Sequence, residues 1–148
     1  MDLQIATETF DTADYSWLGS KFGVDTAKSR TLLIADAVEA THYPLGRIKP
    51  GTILARYTAG GNAGTWTVYQ QDGANGSATP AGIALDGFRV RKNTDGSLKA
   101  TVTSGAVLLA GTPIQVYLGK LPGLLLADQT TAYVPVAADL PAAFVDIT

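Results

Sequence analysis

Turn-forming residues interrupt this chain so often between Pro44 and Gly111 that no long helix can form there. Short β-branched and aromatic runs (Thr52–Tyr57, Thr65–Tyr69, Gly82–Leu85, Leu98–Thr103, Val107–Leu109) alternate with clusters of Gly, Pro, Asn and Asp. Gly accepts positive φ without steric cost and Pro pre-sets φ, so each cluster reverses the chain instead of prolonging a helix. The expectation is a compact antiparallel β domain, all-β, barrel- or sandwich-like, with at most one or two short helical turns. With 148 residues it is one domain, long enough to bury a sizeable core.

The flanks extend the pattern. Arg30–Asp36 is a continuous apolar run suited to a strand buried on both faces, followed by a loop toward Tyr43-Pro44. Asn93-Thr94-Asp95-Gly96 has hairpin-turn composition between Phe88–Arg91 and Leu98–Thr103. After Thr112 the sequence TPIQVYLG gives a further strand, and Gly119–Val136 makes a partly apolar excursion. Ala137–Pro141 suits a single helical turn, and Ala143–Ile147 a closing strand.

Residues 1–30 differ from the rest and are expected to form an extended N-terminal arm, with residues 31–148 as the β domain. The arm has no sustained period, yet it holds Ile5, Phe10, Tyr15, Trp17, Leu18 and Phe22. Idle tails are poor in aromatics, so these side chains are expected to be buried on this domain or on another chain. Charge divides the same way. Residues 1–46 carry seven acids against three bases, and residues 47–148 carry six acids against eight bases.

Charged residues make up 16% of the chain, below the ~25% usual in soluble domains. Such a surface is neutral or covered by a partner. The net charge of −2 and the lack of any basic run beyond Arg91-Lys92 disfavour nucleic acid, whose binding needs clustered cations. No apolar stretch approaches membrane-spanning length, and the first residues lack a signal-peptide pattern, so a soluble protein made in the cytoplasm is expected.

Chemistry-bearing groups are sparse. There is no cysteine and His42 is the only histidine, so neither a His-based zinc site nor a Cys–His pair can be assembled from one chain. No catalytic residue, metal site or cofactor is expected. Asp72, Asp86, Asp95 and Asp128 sit in or beside Gly-rich turns, where Asp caps local backbone amides. Trp66 and Val68 share one face of an alternating strand, which fits core packing better than a sugar-stacking platform.

Four segments resemble the head decoration proteins of tailed bacteriophages, the capsid-cementing trimers of the lambda D type. They are GRIKPGTILARY, PAGIALD, KATVTSGAVLLAG and the final ADLPAAFVDIT, in the order and spacing of that family. The resemblance covers more than half of the chain; the arm and the Gly119–Val136 excursion depart from it. It implies a structural protein on the capsid exterior, a homotrimer at three-fold and quasi-three-fold positions that clamps the major capsid protein. Ala106–Ala110 would lie between protomers. Part of the arm would add as a strand to a capsid-protein sheet, with Ile5, Phe10, Tyr15, Trp17, Leu18 and Phe22 filling pockets on the shell or an adjacent protomer. Removing the first 29 residues would then leave the domain folded and weaken attachment. The alternative is a phage tail or fibre β-module that binds host carbohydrate.

Overall fold

The computed structural model describes residues 15–19, 24–34, 37–44 and 46–147. Five strands close into a barrel: β1 (Lys28–Leu33), β2 (Ile53–Arg56), β3 (Trp66–Val68), β4 (Pro80–Asp86) and β5 (Val102–Leu109). Their ring order is β1-β3-β2-β4-β5. The protein is all-β. Helical backbone among the described residues is limited to α1 (Glu39–His42) and three 3-10 turns.

A ring of five strands cannot alternate direction all the way round, so one neighbouring pair must be parallel. That pair is β1 and β3, and it is joined at a single register position, Leu32 opposite Trp66. On its other edge β1 pairs with β5 antiparallel along its whole length, from Lys28 opposite Val107 to Leu33 opposite Val102. The barrel is therefore closed by a strong seam on one side of β1 and a minimal one on the other.

Side chains alternate across each strand, and both faces are used. Inside the barrel sit Leu32, Leu54, Trp66, Val68, Ala84 and Val107, with Ile34, Tyr43, Ile48, Phe88 and Val90 filling out the cluster. Ile53, Ala55, Ile83 and Leu108 point out of the same strands into a second core. That outer core is covered by Ile114, Val116, Leu121, Leu124 and Phe144 of the C-terminal third. Its backbone forms two small sheets, β6 (Gln115–Val116) with β9 (Val145–Asp146) and β7 (Leu124–Leu125) with β8 (Ala132–Tyr133).

Several elements depart from the expectation. Ser104-Gly105 does not break a strand, because β5 runs through it. Gly105 instead makes room: a Cβ there would lie 2.5 Å from Asp86 O and 2.7 Å from the Phe88 ring. The run beginning at Arg30 is not buried on both faces; Leu32 is buried while Thr31 is exposed, since β1 shows only one side to the core. The segment before Tyr43 holds α1 where a loop was expected.

The largest difference lies at Tyr15–Gly19. Trp17 is 1% exposed within the single chain and belongs to the outer core. The Gly19 amide donates to Gln115 O (2.8 Å) and the Tyr117 amide to Trp17 O (2.7 Å), so this segment flanks β6 on the side opposite β9. The indole lies against Gly51, where a Cβ would meet Trp17 Cδ1 at 2.8 Å and where φ is +94°. Only glycine meets both demands at that position. A cut after residue 29 would remove Trp17 and the first two residues of β1, so it cannot be expected to leave the domain intact.

Candidate interaction sites

The six residues singled out in the arm do not share one fate. Trp17 is spent inside its own chain. Leu18 is half-buried and bridges to Val116 across antiparallel backbone, and Tyr15 is 39% exposed. Ile5, Phe10 and Phe22 lie outside the described residues. Ala106–Ala110 also divides: Val107 and Leu108 are fully buried, one in each core, which leaves Ala110 exposed. This stretch therefore offers little apolar surface to another protomer.

The turn aspartates hold backbone. Asp72 accepts from the Ala127 amide (2.7 Å), Asp86 from Gly87 (2.8 Å), Asp95 from Ser97 (2.9 Å) and Asp128 from Thr130 and Thr131 (2.9 Å each). Bonds from the Thr131 hydroxyl and then its amide lower the Asp128 pKa to about 2. Asp72 reaches furthest, tying the loop after β3 to the excursion that covers the barrel.

Two buried polar groups stand out. The Tyr69 hydroxyl donates to Asp139 Oδ1 at 2.8 Å, while Asp139 Oδ2 accepts from the Val136 amide at 2.9 Å. Burial, then the Asp139 carboxylate, raises the Tyr69 pKa above its ordinary value. This pair locks the 3-10 turn Ala137–Asp139 onto the barrel. Sequence reasoning did not single out either residue, because seventy positions separate them and each looks ordinary in its own context. His42 is the second group. Its Nδ1 accepts from the Val38 amide (2.8 Å), its Nε2 has no partner among the described residues, and burial lowers its pKa to about 4. His42 is neutral at pH 7 and sealed from solvent, so its position suits structure, not proton transfer to a substrate. Trp66, 6% exposed, is likewise core.

Both ends of the barrel are basic. At one end, where β1, β3 and β4 begin, lies a cleft of about 710 Å³ lined by Ser29–Thr31, Arg56, Gly64–Trp66, Ala81, Leu109 and Ala110. Arg30 shares the face of Leu32, and Arg56 that of Leu54, so both arginines face the barrel mouth. Among the described residues no carboxylate lines this cleft. At the other end a groove of about 450 Å³ holds Arg89, Arg91 and Lys99 beside Thr103 and Ser104. Arg47 pairs with Asp86 (3.4 Å) and Lys92 with Glu39, which leaves the carboxylates of those loops already engaged.

Exposed large apolar side chains include Tyr15 and Val102 as well as three valines near the C-terminus. Val134 (71%), Val136 (51%) and Val145 (47%) all belong to the layer over the outer core. Comparison with protein-family models, curated proteins and solved structures gives no match.

Proposed function

We propose that this chain is a virion structural protein, a trimeric decoration protein that binds the outside of a mature phage head and stabilises it against internal DNA pressure. The major capsid protein and two further copies of the chain are its partners. The observation that carries the reading is where the four resembling segments fall. GRIKPGTILARY ends in β2, PAGIALD is β4, KATVTSGAVLLAG contains β5, and ADLPAAFVDIT runs from the 3-10 turn at Ala137–Asp139 through β9. Each is a framework element, and together they account for three barrel strands and the last part of the cover, Phe144 and β9.

The mechanism is mechanical. A shell fails when its capsomers separate, and a trimer that touches several of them adds contacts that must break together. Linked contacts sum to tight attachment through high effective concentration even when each is modest. In a three-fold ring each protomer meets its neighbours head to tail. The test is addition of purified protein to expanded capsids that lack it, followed by electron microscopy. Three-fold density at the three-fold positions and greater resistance to capsid rupture are expected. Failure to bind, or a lone monomer at each site, overturns the reading.

A further inference from the structure

The groove at the end of the barrel opposite the Arg30 and Arg56 mouth is built by strand pairing that sets like charge against like charge. Arg47 and Arg89 face each other across an antiparallel bridge. Lys92 bridges Leu98 in the same sense, and the Lys99 amide donates to Arg91 O at 2.9 Å, which puts Lys99 opposite Arg91. Opposed residues of an antiparallel pair share a face, about 5 Å apart, and like charges there are destabilising. Arg89 and Arg91 flank buried Val90, so they share a face as well, about 7 Å apart along the strand. Arg47 is neutralised by Asp86. The side chains of Arg89, Arg91 and Lys99 have no ion pair or hydrogen bond among the described residues.

These three cations converge on one concavity. With Thr103 and Ser104 they line a groove of about 450 Å³, and among the described residues no carboxylate lines it. The Thr103 hydroxyl donates to Arg89 O at 2.6 Å and ties the arginine strand to β5. The described carboxylates of the neighbouring loops are held elsewhere: Glu39 by Lys92, Asp86 by Arg47 and the Gly87 amide, and Asp95 by Ser97. A basic face that serves only solvation spreads its charges or interleaves acids, and this one shows neither among the described residues. We propose that the groove is a binding site for a small ligand carrying two phosphate or sulfate groups. Guanidinium forks match the oxygens of such groups in pairs, and the ammonium adds a point charge. The volume is of small-molecule size. The cleft at the mouth is larger, but it has two arginines, and Arg30 spends an N–H on Ser29 O. The proposal goes beyond the decoration reading and is measured without capsids, so either can fail alone.

The experiment titrates the full chain with inorganic pyrophosphate, a disulfated disaccharide and inorganic phosphate, read by calorimetry and by amide chemical shifts. Pyrophosphate and the disaccharide separate a phosphorylated ligand from a sulfated one. At least one of them should bind about tenfold more tightly than phosphate, move amides between Gly87 and Ser104, and weaken as salt screens the charges. Arg89→Gln, Arg91→Gln and Lys99→Gln should each weaken that binding at least about tenfold, while Arg30→Gln and Arg56→Gln leave it unchanged. Without ligand, Lys99→Gln should melt higher than the native chain, because it removes one of two opposed charges. Weaker binding in that variant then cannot come from unfolding. Four results would overturn the proposal: neither probe binding more tightly than phosphate; equal sensitivity to the mouth arginines; a lowered melting temperature in Lys99→Gln; or tighter binding in Asp36→Asn, which would mean that an acid of the chain itself already neutralises the groove.

Discussion

The two cores of this protein share strands and differ in how they are made. Inside the barrel, Leu54, Val68, Ala84 and Val107 come from neighbouring strands whose two-residue period fixes which side chains turn inward. The outer core takes Ile53, Ile83 and Leu108 from the opposite faces of those strands and covers them with short, irregular pieces. Trp17, Leu124 and Phe144 reach it from segments with no period at all. One core is thus assembled by pairing and the other by docking. The lesson is that a barrel strand buried on both faces needs a cover, and here the cover is the C-terminal third together with Tyr15–Gly19.

The comparison is broken most directly at Trp17. Trp17→Ala should cost about 3–5 kcal/mol, the usual range for emptying a buried Trp site, and urea unfolding will measure it. Leu54→Ala, inside the barrel, should cost about 2–5 kcal/mol. The two differ in pattern as well as size. Hydrogen exchange should show Trp17→Ala loosening residues 112–147 first and Leu54→Ala lowering protection in all five strands. Uniform loss in both variants would mean that the layers fold as one unit.

Acid should destabilise the fold through His42. Its pKa is lowered from 6.5 to about 4 by burial. Between those values the unfolded chain binds a proton that the folded chain refuses. Stability from this group is therefore complete above pH 6.5 and is lost as pH falls toward 4, by up to about 3 kcal/mol. His42→Gln should flatten that part of the stability curve; an unchanged slope would show that other groups control it. Gly105→Ala comes next. Its Cβ would enter the space of Asp86 O and the Phe88 ring inside the barrel, at a cost of about 1–3 kcal/mol. The melting temperature checks it. Tyr69→Phe should have the smallest effect, about 1–2 kcal/mol, by leaving Asp139 Oδ1 without its donor. Its signature is local: faster amide exchange around Val136–Asp139 with the barrel strands unaffected.

The interior of the barrel was largely legible in the sequence. Thr52–Tyr57, Thr65–Tyr69 and Gly82–Leu85 are short punctuated runs, and they became β2, β3 and β4 within a residue or two of the expected limits. Asp95 and Asp128 were legible for a similar reason, since an Asp in a turn bonds amides two or three residues on, whereas the reach of Asp72 to Ala127 was not. The break expected at Ser104-Gly105 was misread. Glycine there answers to the Phe88 ring just beyond the paired strand β4, which local sequence does not reveal.

What the sequence determined by itself is whatever depends on near neighbours: an all-β chain, the positions of most strands and reversals, and an acidic first segment set against a weakly basic remainder. These follow from backbone preference, side-chain period and charge, which act over a few residues or over simple sums. Only the tertiary structure decided the rest. It placed Trp17 against Gly51, joined Tyr69 to Asp139, and closed a five-stranded ring whose parallel pair, β1 with β3, meets at Leu32 and Trp66. Those features arise when segments far apart in the chain meet around a closed barrel, and no local pattern encodes the meeting.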